Sequence, residues 1–257
     1  MNRIDTLFEK KPSGILSVYM TAGYPELNDT TTLLNELSAK GADLIEIGMP
    51  FSDPLADGPL LQECNQKALD NGMSLEILFE QITNIRETVD IPLILMGYLN
   101  PVLNYGFEKF CQKAAETGID GLILPDLPSD EYSVKYSGIC EKYGLYMIFL
   151  ITPQTSDERI REISGLSRGF IYMVSSASTT GAKEGFQQEQ LDYFRRISEM
   201  DLSLPRLIGF GISSAETFRQ AGEFANGAII GSAFMKSISG EGSLPDKISN
   251  FIGKLEL

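Results

Sequence analysis

The chain has 257 residues, the usual length of one α/β barrel domain, and can bury a large core. Its formal net charge of −14 excludes nucleic acid and anionic membrane surfaces as partners, because both are bound through Lys and Arg. It contains no histidine, which excludes Ser-His-Asp and Cys-His catalysis and every His-ligated metal site. Proton transfer must therefore fall to carboxylates, Tyr, Lys or Cys.

The cysteines and the N-terminal segment indicate the compartment. Cys64, Cys111 and Cys140 are sparse and form no CxxC pair, so we expect neither a disulfide framework nor a bound metal. Residues 1–11 are polar and lack the apolar core of a signal peptide, and no apolar run is long enough to span a bilayer. We therefore expect a cytoplasmic protein.

Short runs rich in Val, Ile and Leu predict eight strands. Continuous apolar runs, in place of alternating ones, are typical of parallel strands that helices cover. The runs are residues 15–20, 44–49, 92–96, 121–124, 145–151, 170–174, 206–210 and 227–230.

Amphipathic segments between these runs predict the helices, at residues 28–40, 60–71, 74–88, 107–117, 129–143, 156–164, 187–200, 213–221 and 245–255. Gly41, Gly118 and Gly227 recur between helix and strand, where a left-handed helix cap is expected. Alternating βα units without a linker predict a (β/α)8 TIM barrel, with residues 1–257 as one domain. An open doubly wound sheet is the alternative, but the turn at residues 21–25 lacks the dinucleotide fingerprint.

A carboxylate in the second apolar run is the first candidate for chemistry. Leu44, Glu46 and Gly48 share one face of the strand by period two, which places Glu46 inside the barrel. Burial raises the pKa of a carboxyl and makes it an acid or base near neutral pH. The alternative is a core glutamate satisfied by a neighbouring polar group.

The loop at residues 50–59 follows the Glu46 strand directly and contains two acids and three prolines. Asp57 could fold over the barrel mouth and lie near Glu46, which would give two carboxylates in different environments. Ordinary turn chemistry is the alternative, because Asp, Gly and Pro are common turn residues.

Glycine-containing turns follow the seventh and eighth strands, at residues 209–214 and 231–233. In barrels these two loops and the N-terminus of a short helix often bind phosphate. Residues 175–181, after the sixth strand, are also rich in small polar side chains. The alternative is ordinary helix capping by Ser213, Ser214 and Ser232.

Residues 46–59, EIGMPFSDPLADGP, resemble the signature of the tryptophan synthase alpha chain family. Further segments resemble that family in the same order, at residues 21–25, 96–101, 124–128, 180–182, 209–213 and 231–233. The resemblance implies retro-aldol cleavage of indole-3-glycerol phosphate to indole and glyceraldehyde 3-phosphate. It implies that Glu46 delivers a proton to indole C3 and that Asp57 accepts a hydrogen bond from the indole N–H.

The resemblance also implies binding residues and a partner. Its phosphate site falls on Gly181, Gly211, Gly231 and Ser232, and its indole and glycerol pocket on Tyr19, Met96, Ile123, Tyr172, Thr180 and Phe210. Contact with the beta chain falls on Asp53, Pro54, Asn100, Pro101 and Asn104. Family members form an α2β2 assembly and pass indole to the beta chain. This chain is expected to need no cofactor, since pyridoxal phosphate belongs to that partner.

Two positions depart from many relatives. Tyr19 stands where they carry Phe, and Ser176 stands where they carry an Arg that helps to close a loop. Three other functions remain open: an activator of the beta chain without its own chemistry, a different barrel enzyme acting on a phosphorylated sugar, and a lyase that works alone. Indole-glycerol phosphate synthase would require a catalytic Lys inside a strand, and the predicted strands contain none.

Overall fold

The protein is built around a ring of parallel strands. The computed structural model describes residues 1–55, 57–175 and 185–255. The strand order is β5-β4-β3-β2-β1-β9-β8-β7-β6, and every pair is parallel. The strands are β1 (Ile15–Thr21), β2 (Leu44–Gly48), β3 (Leu93–Met96), β4 (Gly121–Ile123), β5 (Tyr146–Met147), β6 (Leu150–Ile151), β7 (Ile171–Val174), β8 (Arg206–Gly209) and β9 (Gly227–Ile230).

The segment at residues 145–151 closes this ring. β5 and β6 lie within it, β5 pairing with β4 and β6 with β7. Between them the Ile148 N–H donates to the Leu122 carbonyl at 2.9 Å, and the Phe149 carbonyl accepts from the Tyr172 N–H at 3.1 Å. The two short strands are therefore one predicted strand with a local break. The predicted (β/α)8 barrel is confirmed, and the open-sheet alternative is wrong.

Helices cover the outside of the ring. They are α1 (Arg3–Lys10), α2 (Asp29–Lys40), α3 (Pro59–Asp70), α4 (Leu75–Gln81), α5 (Leu99–Tyr105), α6 (Phe107–Glu116), α7 (Ser129–Glu131), α8 (Ser137–Lys142), α9 (Asp157–Leu166), α10 (Gln188–Ser198), α11 (Ala215–Gly222), α12 (Ser232–Ile238) and α13 (Leu244–Gly253). The helices α1, α5 and α12 were not predicted from the sequence pattern. A π turn at Tyr132–Tyr136 divides the helix predicted at residues 129–143, and the one predicted at residues 74–88 ends in a 3₁₀ turn at Ile85–Glu87. No helix in the described part of the chain is long and apolar enough to cross a membrane.

The predicted glycine caps differ among themselves. Gly41 and Gly118 have φ of 104° and 83°, and Gly41 ends α2 with its N–H on the Leu37 carbonyl. Gly227 lies inside β9, and a Cβ there would overlap the Ile15 carbonyl of β1. The prediction of a helix cap at Gly227 is therefore wrong, and glycine at this position allows close approach of two strands.

The barrel has an interior core and an N-terminal plug. Side chains from every side of the ring fill the interior, among them Leu44, Ile94, Ile148, Leu207 and Ile229. The helix α1 closes the lower end with Ile4 and Phe8, and Phe8 packs against Phe170 at a ring-centroid distance of 6.1 Å. This leaves the opposite end, where the strands end, for function.

A buried ion network fixes the lower end. Asp120 is 4% exposed, and its carboxylate accepts from Arg86 at 2.5 Å, from Arg3 at 3.0 Å and from the Leu93 N–H at 2.9 Å. Arg86 also donates to the carbonyls of residues 89, 91 and 118. The charges are therefore paired and hydrogen-bonded, which a buried ion pair needs in order to be tolerated.

We expect Asp120→Asn to lower the free energy of unfolding by about 3 kcal/mol, because the Arg86 charge would lose its buried partner. Arg3→Met, at the half-exposed partner, should cost less than about 1 kcal/mol. Urea denaturation of the two variants measures the difference. Equal losses of unfolding free energy in the two variants would contradict the view that the Arg86–Asp120 pair is the dominant contact of this network.

Candidate active site

Glu46 lies inside the barrel on β2 and is fully buried. The Ser17 hydroxyl of β1 donates to Glu46 Oε1 at 2.8 Å. The other oxygen, Oε2, is buried without a hydrogen-bond partner among the residues that the structure describes. Burial raises the Glu46 pKa from 4.5 to about 8, and the Ser17 hydrogen bond opposes this only in part. At neutral pH the side chain therefore holds a proton.

Asp57 lies at the barrel mouth in the loop before α3. Its Oδ2 accepts from Asn65 Nδ2 at 3.1 Å, and its backbone carbonyl accepts from Gln62 at 2.9 Å. Partial burial raises the Asp57 pKa from 3.8 to about 6, while the Asn65 hydrogen bond lowers it. Asp57 is therefore mostly ionised at neutral pH. Asn65 was missed by the sequence analysis, although a buried Asn between Cys64 and Ala68 on a helix face is an available signal.

A pocket at the mouth joins loops from several strands. It is lined by Tyr19, Met49, Asp57, Asn65, Met96, Gly97, Tyr98, Pro125, Leu150 and Phe210. Three predicted pocket residues, Tyr19, Met96 and Phe210, are thus brought together with Asp57. Ile123 and Tyr172 are buried in the interior layer next to it, where Tyr172 contacts Phe210 at a ring-centroid distance of 6.4 Å. Thr180 lies outside the described residues.

Tyr172 is a buried phenol whose pKa responds to both carboxyls. Burial raises its pKa well above 10, and the charges of Glu46 and Asp57 and the nearby Tyr19 raise it further. Both acids therefore lie within electrostatic reach of one phenol. Glu46 itself does not line the pocket surface, so the structure places the two carboxyls at different depths.

Two tyrosines pack on glycines of the neighbouring strands. A Cβ at Gly48 would overlap the Tyr19 hydroxyl, and a Cβ at Gly209 would overlap the Tyr172 hydroxyl. The Tyr19 hydroxyl accepts from Thr21 Oγ1 at 3.4 Å, and burial raises the pKa of its phenol. Glycine at these positions is therefore required by the aromatic side chains and not by a turn.

The late glycine turns have unequal surroundings. The N–H groups of Ser213 and Ser214 donate to Thr217 Oγ1, and the Ser214 side chain caps α11. Ordinary helix capping therefore explains both serines. Gly211 has φ of 75°, and Gly231 and Ser232 begin α12 without a side-chain cap. The Cβ position of Gly231 lies 3.5 Å from Tyr19 Cβ, which joins this turn to the pocket. Gly181 lies outside the described residues.

Comparison with known proteins identifies the family. The sequence model of the tryptophan synthase alpha chain matches residues 7–252. The tryptophan synthase alpha chain of Flavobacterium johnsoniae is 59% identical over 255 residues, 99% of this chain and 100% of that protein. The chain belongs to the tryptophan synthase alpha chain family. The same protein of Parabacteroides distasonis is 53% identical over 256 residues, 100% of each chain.

Solved structures of this family share the fold. The tryptophan synthase alpha chain of Legionella pneumophila superposes with a TM-score of 0.89 at 35% identity, covering 99% of this chain and 96% of that one. Tryptophan synthase of M. tuberculosis, in an aminoacrylate-bound form, gives 0.86 at 28% identity, covering 99% and 98%. The family resemblance drawn from residues 46–59 and the other segments is therefore confirmed.

The residues predicted to meet the beta chain lie on the loop after β2, which holds Asp53 and Pro54, and on α5, which follows the loop after β3. Asp53, Asn100 and Asn104 are exposed, Pro101 is half-buried and Pro54 is buried. The loops touch through Phe51 and Tyr98, with ring centroids 5.4 Å apart. Leu55 of the loop after β2 and Leu103 of α5 are exposed, at 92% and 44%. The sequence analysis did not select these two apolar side chains.

Glu46→Gln should remove a pH dependence of stability. The carboxyl has a pKa of about 8 when folded and 4.5 in water, so the unfolded chain loses this proton first. The free energy of unfolding therefore falls as pH rises from 4.5 to 8, by a contribution on the order of 5 kcal/mol, and Gln should abolish that fall. Urea denaturation over this range measures it.

Asp57→Asn is the matched comparison. Its carboxyl has a pKa raised only from 3.8 to about 6, so its contribution falls within that lower pH window. Wild-type protein and Glu46→Gln with equal slopes between pH 6 and 8 would contradict the buried neutral Glu46.

Gly209→Ala should displace Tyr172 and lower the free energy of unfolding by about 1–3 kcal/mol, because the new methyl group would overlap the buried phenol ring. Gly222→Ala, at a helical glycine with no atom within 4 Å of the new methyl group, should be neutral or stabilising by up to about 1 kcal/mol. Thermal unfolding of both variants measures the contrast. Equal effects would show that Tyr172 does not need Gly209.

Proposed function

We propose that this chain cleaves indole-3-glycerol phosphate to indole and glyceraldehyde 3-phosphate, with Glu46 and Asp57 as its catalytic residues. The reaction is that of the family to which the chain belongs, a family of carbon–carbon lyases in tryptophan biosynthesis. The observation that carries the residue roles is the different placement of the two carboxyls: Glu46 is fully buried with one hydroxyl donor, whereas Asp57 lies at the mouth beside Asn65. This difference raises the Glu46 pKa to about 8 and the Asp57 pKa only to about 6. Paired groups with separated pKa values are typical of an acid and a charged stabiliser.

The roles follow from the protonation states at neutral pH. Neutral Glu46 supplies the proton that indole C3 must gain. Ionised Asp57 accepts a hydrogen bond from the indole N–H and stabilises the positive charge that C3 protonation creates on the ring. The carboxylate left on Glu46 then takes the proton of the glycerol hydroxyl, the C–C bond breaks, and the electron pair returns to the ring. Glu46 ends protonated, so the cycle is balanced without a cofactor.

Substrate binding uses the remaining features of the mouth. The pocket side chains Tyr19, Met96 and Phe210 give the indole ring an apolar surface beside Asp57. Backbone N–H groups at Gly211 and at the start of α12 are the proposed phosphate donors, as expected where the net charge is −14. Tyr172, whose buried phenol is within electrostatic reach of both carboxyls, is the proposed neighbour of the glycerol hydroxyl.

We propose that the chain works with a tryptophan synthase beta chain, which holds the pyridoxal phosphate and receives the indole. Exposed Leu55 and Leu103 beside Asp53 and Asn104 support a protein contact at this end of the barrel. We further propose one domain over residues 1–257, since the ring uses strands from β1 to β9. A cytoplasmic location is supported by Cys64, Cys111 and Cys140, which are free and buried.

Glu46→Gln should lower indole release at least about 100-fold with the beta chain present, because no acid remains to protonate C3. Asp57→Asn should lower it by a similar factor, since the ring cation loses its stabilising charge. Asp192→Asn, an exposed change on α10, is the control and should release indole at the wild-type rate. Indole release is measured from indole-3-glycerol phosphate with and without the beta chain.

The two conditions separate the alternatives. Slow release that rises strongly with the beta chain supports the lyase within a complex, and fast release alone would indicate a lyase that works alone. No release under either condition, with the beta chain still stimulated, would show an activator. Full activity of Glu46→Gln would refute its role.

A further inference from the structure

Ser17 is a polar residue of the barrel interior to which the proposed reaction assigns no role. It lies on β1, is fully buried, and shares the inward face with Tyr19 and Thr21 by the period of two. A hydroxyl in this apolar layer needs a hydrogen-bond partner to offset its burial. Its hydroxyl donates to Glu46 Oε1 at 2.8 Å, so it is the one polar contact made by the buried carboxyl within the described part of the protein.

The contact holds the carboxyl at one oxygen only. Oε1 is fixed by Ser17, while Oε2 is buried and has no partner among the described residues. A neutral carboxyl has one carbonyl oxygen, the better acceptor, and one hydroxyl oxygen that carries the proton. With Ser17 as the donor, Oε1 serves as the carbonyl oxygen, which leaves the proton of neutral Glu46 on Oε2.

The strand register explains why Ser17 and not another residue makes this contact. Glu46 lies opposite Tyr19 in the β1–β2 pair, and Ser17 lies opposite Leu44. The Glu46 side chain therefore leans along the strands toward the lower end of the barrel to reach Ser17. Tyr19 occupies the position directly across, where its phenol packs over Gly48 and its hydroxyl is hydrogen-bonded to Thr21.

We propose that Ser17 is a positioning residue of the lyase reaction, which fixes Glu46 Oε1 so that Oε2 carries and delivers the proton to indole C3. The inference rests on the proposed role of Glu46. When the proton leaves Oε2, the negative charge spreads over both oxygens and the Ser17 hydrogen bond becomes charge-assisted, which stabilises the carboxylate formed in that step. The other titratable groups around Glu46 are Tyr19 on β1, Tyr172 on β7 and Asp57 at the mouth, and the tyrosines are neutral in the working pH range.

Removal of the hydroxyl tests the proposal. Ser17→Ala should lower kcat about tenfold at neutral pH and leave KM within about twofold, since a hydrogen bond to a charged group is lost in the reaction step and substrate contacts are kept. The alkaline limb of the kcat profile should move up by about one pH unit, because the Glu46 carboxylate loses its donor. Ser17→Thr should restore both values.

A spectroscopic readout keeps the test independent of turnover. The C=O stretching band of neutral Glu46 is identified in the infrared spectrum by its absence in Glu46→Gln. In Ser17→Ala this band should move to higher frequency and titrate at higher pH, because the carbonyl oxygen has lost its donor. Ser167→Ala is the control, because it removes another buried hydroxyl at the C-terminal end of α9. It should leave the band and the kcat profile unchanged.

The outcomes distinguish a failure of the Ser17 inference from a failure of the proposed role of Glu46. A Ser17→Ala protein with wild-type band and pH profile would overturn the positioning role, even if kcat fell through a general loss of stability. An inactive Glu46→Gln protein, together with a Ser17→Ala protein whose C=O band and kcat profile are unchanged, would refute this inference alone. An active Glu46→Gln would refute the proposed function of Glu46 and the inference with it.

Discussion

The site depends on the burial of one carboxyl inside a closed ring of strands. Closure at residues 145–151 seals the interior from water, and α1 fills its lower end with Ile4 and Phe8. Within that interior Glu46 meets one hydroxyl donor and a layer of aliphatic side chains, so its charged form is costly and its pKa rises to about 8. The protonated carboxyl that the proposed reaction uses is therefore a consequence of barrel closure, and any opening of the ring would lower its pKa toward 4.5.

The same closure limits what can stand around the acid. Tyr19 and Tyr172 are large for an interior layer, and each fits because the adjacent strand carries glycine, Gly48 beside Tyr19 and Gly209 beside Tyr172. The β1–β2 and β7–β8 pairs therefore share the same arrangement, a tyrosine on one strand packed over a glycine on the next. Phe210, with a φ of 67° at a non-glycine residue, follows the second of these glycines directly and lines the pocket. The strain at Phe210 thus occurs where the strand layer becomes the binding surface.

The sequence predicted those features that local patterns carry. Continuous apolar runs gave all eight strand positions, and period two put Glu46 inside the barrel. The helix α5 was missed because its first N–H, at Leu99, is capped by Asp126 from the following loop at 2.9 Å, a contact no local motif shows. The helix α12 has no side-chain cap at its N-terminus. By contrast α1 carries a local signal, since the Asn2 side chain accepts from the Ile4 N–H at 2.9 Å. Ser17 also stands at an inward position of an apolar strand, but only the register shows that it reaches Glu46.

The overall negative charge makes the neutrality of Glu46 important for binding as well as for chemistry. A phosphorylated substrate entering a chain of net charge −14 meets repulsion that local N–H donors must overcome. Two ionised carboxyls in a site of low dielectric would add to that repulsion, whereas a neutral Glu46 leaves only Asp57 charged, at the wetter mouth. In the proposed reaction Asp57 gains a cationic ring to stabilise only after C3 is protonated, so its charge would contribute most in the transition state. The depth difference between the two acids therefore serves binding and catalysis through one arrangement.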